Sequence, residues 1–263
     1  MSEGGTNVTD PDRARLLFLH DADVLPGPVG ALAGLADSVD LEVPRHPGFG
    51  EHDELAQDWD SIADVAQYYL HELELRGGPA PHLAGAGLGG WIALEMAVRD
   101  QARFASLTLV APYGVKLFGR MDREFADILL LDPAEVVALG WANPAACHGL
   151  RMPGLPKGLD DGEYERAFED RATIARLAWK PFLHDPRLRR WLHVLDLPTL
   201  VIAGSHDRLV KPEHSRELAG LLRGARYVEF PGSGHYPYLE TPDEFAEAVL
   251  SFVSGRQTIG ATQ

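Results

Sequence analysis

The sequence predicts an α/β fold, a mostly parallel central sheet with helices on both faces and an inserted helical cap. Three observations predict it. Short apolar runs bounded by turn residues alternate with longer helical patterns, the signature of a parallel sheet covered by helices. A glycine-packed turn, Gly85 to Gly90, joins one apolar run to an alanine-rich helical pattern. From about Val115 to Leu195 helical patterns follow one another without β-branched strand runs between them, which marks an insertion.

In chain order, strands are predicted at Arg15–His20, Val39–Val43, Pro81–Ala84, Leu107–Ala111, Thr199–Ala203 and Tyr227–Phe230. Helices are predicted at Asp60–Leu75, Gly89–Arg99, Pro212–Leu222 and Pro242–Val253. The last of these opens with Thr241 as N-cap, Pro242 in the first turn and the acids Asp243 and Glu244, the composition that favours a helix start. The domain reading is a flexible tail at 1–13, a core made of 14–114 and 196–254, a cap at 115–195 and a second tail at 255–263. Within the cap, the aromatic residues Trp141, Trp179, Trp191, Phe118, Phe125, Phe168 and Phe182 read mainly as cap core at helical spacing.

At 263 residues and 45% hydrophobic content the chain can bury one substantial core. Its formal charge of -15 repels phosphate backbones and anionic surfaces, so neither nucleic acid nor membrane is expected as a partner. A single cysteine, Cys147, cannot form an internal disulfide, and a reducing, cytoplasmic setting is expected. The partner expected is a small-molecule substrate, and a homodimer is compatible with the sequence.

The sharpest motif is His82-Leu83-Ala84-Gly85-Ala86-Gly87-Leu88-Gly89-Gly90-Trp91. Gly85-x-Gly87-x-x-Gly90 matches a dinucleotide fingerprint, but that site also needs an acid about 20 residues on, and Phe104 to Tyr113 contains none. No cofactor is therefore expected. The same turn fits a nucleophile elbow, G-x-S-x-G, in which Gly85 and Gly89 flank an exposed, strained residue. Downstream, a predicted strand ends in a loop carrying Asp207, and Gly234-His235-x-Pro237-x-Leu239-Glu240-x-Pro242 presents a histidine after the last strand.

Elbow, acid and histidine follow in the chain order of an α/β-hydrolase triad, and from about Arg15 to Val253 the chain resembles that superfamily. His46-Pro47-Gly48-Phe49-Gly50 adds to the resemblance. The resemblance implies Asp207 as the acid, His235 as the base and residue 87 as the nucleophile, yet residue 87 is glycine. It also implies His-Gly after the first strand, where this chain has His20-Asp21-Ala22-Asp23. A carboxylate there opposes a developing oxyanion, which backbone dipoles normally stabilise.

The candidate catalytic residues are thus His235, Asp207 and Asp21, with Asp23 as a further acid. A turn or helix-capping role for Asp21 and Asp23 is equally open. Gly87, Leu88 and Ala22 form the elbow and oxyanion region, with the Leu88 N–H a place for a carbonyl oxygen or anion. Arg176, Trp179, Phe182 and Tyr236 are candidate substrate contacts, and no metal ligand set is expected. Ser205 and Ser233 read as turn formers. The expected activity is serine-independent: lyase, isomerase, cyclase or dehydratase chemistry with His235 as general base on a carbonyl-bearing substrate, with a water or substrate in the space a serine would fill. A hydrolase in which His235 activates water and a non-catalytic binding protein are the alternatives.

Overall fold

The computed structural model describes residues 13–24, 32–49, 58–119, 121–148, 150, 152 and 161–255. Most of both expected tails, Gly50 of the His46 motif and several positions of the expected cap, including 153–160, lie outside the described residues.

Among the described residues, six strands form one sheet in the order β2-β1-β3-β4-β5-β6, and every neighbouring pair is parallel. They are β1 (Arg15–Leu19), β2 (Asp40–Glu42), β3 (His82–Ala86), β4 (Ser106–Val110), β5 (Thr199–Gly204) and β6 (Arg226–Phe230). Each lies at its predicted position with ends shifted by at most two residues. The central strands β4 and β5 are buried along their whole length, as a strand flanked by strands and covered on both faces must be.

The helices are α1 (Ala33–Ala36), α2 (Ile62–Arg76), α3 (Gly87–Asp100), α4 (Pro133–Gly140), α5 (Asp161–Ala178), α6 (Pro212–Leu221), α7 (Pro237–Glu240) and α8 (Pro242–Val253). Ser61 and Asp64 close a capping box on α2, as Asp132 and Glu135 do on α4, each satisfying backbone N–H groups that a helix start leaves unpaired. Thr241 stands at the N-cap of α8, but its side chain makes no cap bond. Its hydroxyl donates to Pro237 O at 3.2 Å and meets Ser233 Oγ at 3.1 Å. The helix α3 begins two residues earlier than predicted, so residue 87 itself opens it.

Among the described residues the β4–β5 connection holds no strand, only α4, α5, 3₁₀ turns and two isolated bridges, Gly114 to His184 and Phe125 to Val210. Its aromatic residues do not all pack inward. Trp141 and Phe125 are buried, whereas Phe118, Phe168, Trp179 and Trp191 are 45%, 64%, 47% and 54% exposed. Helix α5 carries apolar residues on two faces: Ala167, Ile174, Leu177 and Ala178 are buried, and a second stripe at helical spacing, Tyr164, Phe168 and Ala172, continued by Trp179 just beyond its end, faces outward. Periodicity reports that an apolar face exists, not which face is covered.

Candidate active site

Strand register brings the site together. Leu19 of β1 pairs with Gly85 of β3, so the two residues after each, which end at Asp21 and Gly87, leave the sheet side by side at its carboxyl edge. Gly87 adopts φ +50° at the turn from β3 into α3, the left-handed region that glycine enters without a Cβ penalty. Gly89 is fixed by packing, since a Cβ there would strike the Leu19 carbonyl.

The space that a side chain at residue 87 would occupy is full. A Cβ built on Gly87 would coincide with the Asp21 carboxylate. Asp21 Oδ1 accepts the backbone N–H of Ala22 at 2.7 Å and of Leu88 at 2.8 Å, two donors converging on one oxygen in the geometry that stabilises an oxyanion. The expectation that a water or substrate fills this space is corrected: the chain supplies its own carboxylate. Asp21 therefore does more than cap a turn: its Oδ1 sits on the Ala22 and Leu88 N–H groups, where an incoming oxygen would have to go.

The other oxygen, Asp21 Oδ2, lies 3.1 Å from His235 Nε2, while His235 Nδ1 lies 2.7 Å from Asp207 Oδ2. Asp207 Oδ1 accepts the backbone N–H groups of Leu209 and Val210 at 2.8 and 3.0 Å. The His235 backbone N–H donates to Gly140 O at 2.6 Å, tying the histidine loop to the end of α4. Asp21, His235 and Asp207 are 2%, 1% and 2% exposed. Burial disfavours the imidazolium, but the Asp207 and Asp21 carboxylates outweigh it and raise the His235 pKa to about 10. At neutral pH both ring nitrogens carry protons and donate to a carboxylate on each side.

A second layer holds the Asp21 loop. His20 Nε2 accepts the His46 backbone N–H at 3.2 Å, so Nδ1 carries the proton and donates to Asp21 O at 2.8 Å. The His46 ring stacks on His20 at 3.8 Å and its Nε2 donates to His20 O at 2.9 Å. Burial lowers the His20 pKa to about 4, which keeps this strut neutral. Asp23 is also buried. Burial raises its pKa to about 7, against the opposing pull of Arg171, 3.4 Å away on α5. Sequence pattern pointed to Asp21 and Asp23 but carried no sign of Arg171, which approaches from 148 residues away.

The remaining expected contacts fall in different places. Tyr236 is buried with its ring edge-on to His235, centroids 4.9 Å apart. Arg176 is on the exposed side of α5. Trp179 and Phe182 border a cavity of about 750 Å³ with Lys116, Phe125, His184 and Lys211, and its lining includes none of Asp21, Gly87 or His235. Ser205 Oγ accepts the Gly232 N–H at 3.0 Å, and Ser233 Oγ meets Thr241; both belong to loop structure. Among the described residues no His, Cys, Asp and Glu cluster is arranged to hold a metal ion, and no helix is long and apolar enough to cross a membrane.

The model of the "Alpha/beta hydrolase family" matches residues 16–248. The chain belongs to this family. Curated relatives of this alpha/beta hydrolase include epoxide hydrolase EphH of Mycobacterium tuberculosis, 28% identical over 209 residues that cover 73% of this chain and 95% of the relative. They also include a putative carbamate hydrolase, RutD, of Variovorax paradoxus, 30% identical over 202 residues that cover 74% and 73%. A meta-cleavage product hydrolase from Pseudomonas fluorescens superposes with a TM-score of 0.74 at 17% identity, over 92% of this chain and 91% of its own, a likeness of fold. EphH and the meta-cleavage product enzyme are hydrolases by name, and RutD a putative one.

Proposed function

We propose that this alpha/beta hydrolase is a cofactor-independent hydrolase in which Asp21 is a carboxylate nucleophile and His235, oriented by Asp207, is the acid and then the base, and that its substrates are small epoxides. The observation that carries this reading is the Asp21 carboxylate itself, with Oδ1 on the Leu88 and Ala22 N–H groups and Oδ2 against His235 Nε2. An ester carbonyl cannot enter a hole already holding an oxygen, so acyl transfer is closed. A carboxylate whose second oxygen faces a proton donor suits attack on a strained carbon whose leaving oxygen needs a proton.

The steps balance. Asp21 Oδ2 forms a bond to an epoxide carbon, the C–O bond of the ring breaks, and the alkoxide takes the Nε2 proton of His235. Asp21 is now a neutral ester, so one of the two charges that held the imidazolium is gone and His235 is left as a base. It removes a proton from water as the water oxygen adds to the Asp21 carbonyl carbon. Charge collects on Oδ1, where the two backbone N–H groups already point. Collapse breaks the ester bond, and the proton of the new carboxylic acid passes through His235 to the departing alkoxide. The sum is epoxide plus water to diol, with Asp21 ionised and His235 protonated again.

The similarity to EphH supports the substrate class, and the -15 charge disfavours anionic substrates. Lyase, isomerase, cyclase or dehydratase chemistry with His235 as a general base needs a neutral imidazole in the resting site, which the flanking carboxylates oppose. A pure binding role leaves the Asp21–His235–Asp207 array, three buried ionisable groups, without a chemical reason to stay together. The β4–β5 connection is the segment we assign to covering the site.

The test is hydrolysis of styrene oxide and cyclohexene oxide to diols, followed against pH. Ring opening needs protonated His235, so kcat/KM should be level through pH 7 to 9 and fall as pH rises through about 10. A general-base enzyme with the same histidine would show the opposite sign, a rate rising through that range. Absence of diol formation, or a rise, contradicts the reading.

A further inference from the structure

The outward stripe of α5 takes no part in the site. Tyr164, Phe168 and Trp179 are 50%, 64% and 47% exposed, and Leu130 beside them is 73% exposed. Between Phe168 and Trp179 the small residues Ala172 and Ala175 floor a mainly apolar hollow of about 500 Å³, with Leu129 and Leu130 on its rim and Arg171, the partner of Asp23, in its lining. One patch therefore carries both a projecting aromatic ring and an apolar hollow, the two halves of a self-complementary contact.

Charge on the same face is arranged about a point. Acids Glu165 and Glu169 lie on the first half of the exposed face, and Arg176 and Lys180 on the second half and just beyond it. Glu165 and Lys180 are equally far from the midpoint between Ala172 and Thr173, and Glu169 and Arg176 are equally far from that same midpoint. A helix laid antiparallel on a copy of itself across that midpoint sets Glu169 opposite Arg176 and brings Glu165 towards Lys180 in the turn that follows α5, each pairing occurring twice. A two-fold interface requires this: residue i meets j, and j meets i. The small side chains at the crossing let the backbones approach, and the two helix dipoles lie side by side with opposite ends adjacent.

We infer that α5 is a homodimerisation surface, occupied by the α5 of a second copy in antiparallel orientation centred on Ala172. An anionic membrane is the weaker occupant, because the chain carries a net charge of -15 and the exposed face mixes both signs.

Sedimentation velocity of the full chain at roughly 1 to 100 µM tests this, a range set by the affinities of modest interfaces. The expected result is a two-chain species that Phe168→Asp converts to monomer without changing circular dichroism. Glu165→Lys or Lys180→Glu alone should weaken the dimer by about tenfold, since each reversal acts twice, and the double reversal should restore it. Charge reversal at these exposed positions leaves the core untouched, so rescue separates a specific pairing from misfolding. A monomer throughout the range overturns the inference, as does a dimer indifferent to all of these changes. A monomer that binds vesicles of phosphatidylcholine and phosphatidylserine through Phe168 overturns it in favour of a lipid surface.

Discussion

Asp21→Asn is expected to lower kcat for epoxide hydrolysis by about four orders of magnitude, the scale seen when a covalent nucleophile is removed from a preorganised site. The substitution is close to isosteric. The amide oxygen can still accept the Leu88 and Ala22 N–H groups that now hold Oδ1, so fold and substrate affinity should persist while chemistry stops. What the amide lacks is the charge and lone pair that attack carbon. It also removes one of the two carboxylates facing His235, so the imidazole pKa should drop from about 10, readable in the nitrogen shifts of a labelled sample. Activity within tenfold of the parent, or an unmoved His235 titration, would show that Asp21 is only a structural anion.

Gly87→Ser, the change that on paper rebuilds the family's nucleophile, is expected to destabilise the fold by about 3 kcal/mol and to yield no esterase, from the strain of a left-handed non-glycine residue plus overpacking. The Cβ of residue 87 and the Asp21 carboxylate require the same volume. Even if the serine fits, the hole it needs is filled by Asp21 Oδ1. Adding Asp21→Gly removes both obstacles and recreates His-Gly after β1. The double variant should regain in urea titrations the part of the stability lost to overpacking, and hydrolyse p-nitrophenyl acetate above background. Strong esterase activity from Gly87→Ser alone would mean that Asp21 swings aside, and that the filled hole is not a fixed property of the site.

Much of this was legible in the residues. The six strands follow from apolar runs and turn residues, because in a parallel sheet burial on both faces writes itself as continuous hydrophobicity. The positions of Asp207 and His235 follow from loops that leave strand ends at the same edge. Asp21 is a candidate from the sequence alone, but its placement is not readable there. That depends on the β1–β3 register, Leu19 against Gly85, which sets Asp21 beside Gly87 and within reach of the Leu88 N–H, 67 positions away. Glycine at 87 looked like a loss when read alone; beside Asp21 it is the residue that makes room for a carboxylate. Arg171 and the outward stripe of α5 escaped for a related reason. Local periodicity reveals an apolar or charged face, whereas its partner is chosen by tertiary packing.

The placement of Asp21 also explains why its neighbours are as they are. His20 and His46 brace the loop from behind by hydrogen bonds to its backbone. Ala22 and Leu88 give their N–H groups to one oxygen, and His235 faces the other. A chain that had merely discarded a serine would have no physical need to aim a second carboxylate into the same hole.

The most direct measurement is one turnover of styrene oxide in heavy-oxygen water with enzyme in excess, followed by peptide mass spectrometry. If water attacks the ester carbon of Asp21, the first turnover leaves heavy oxygen in the peptide carrying Asp21 and none in the diol. Label in the diol with an unlabelled Asp21 peptide would mean that water attacked the substrate directly, and the carboxylate in the oxyanion hole would not be the nucleophile.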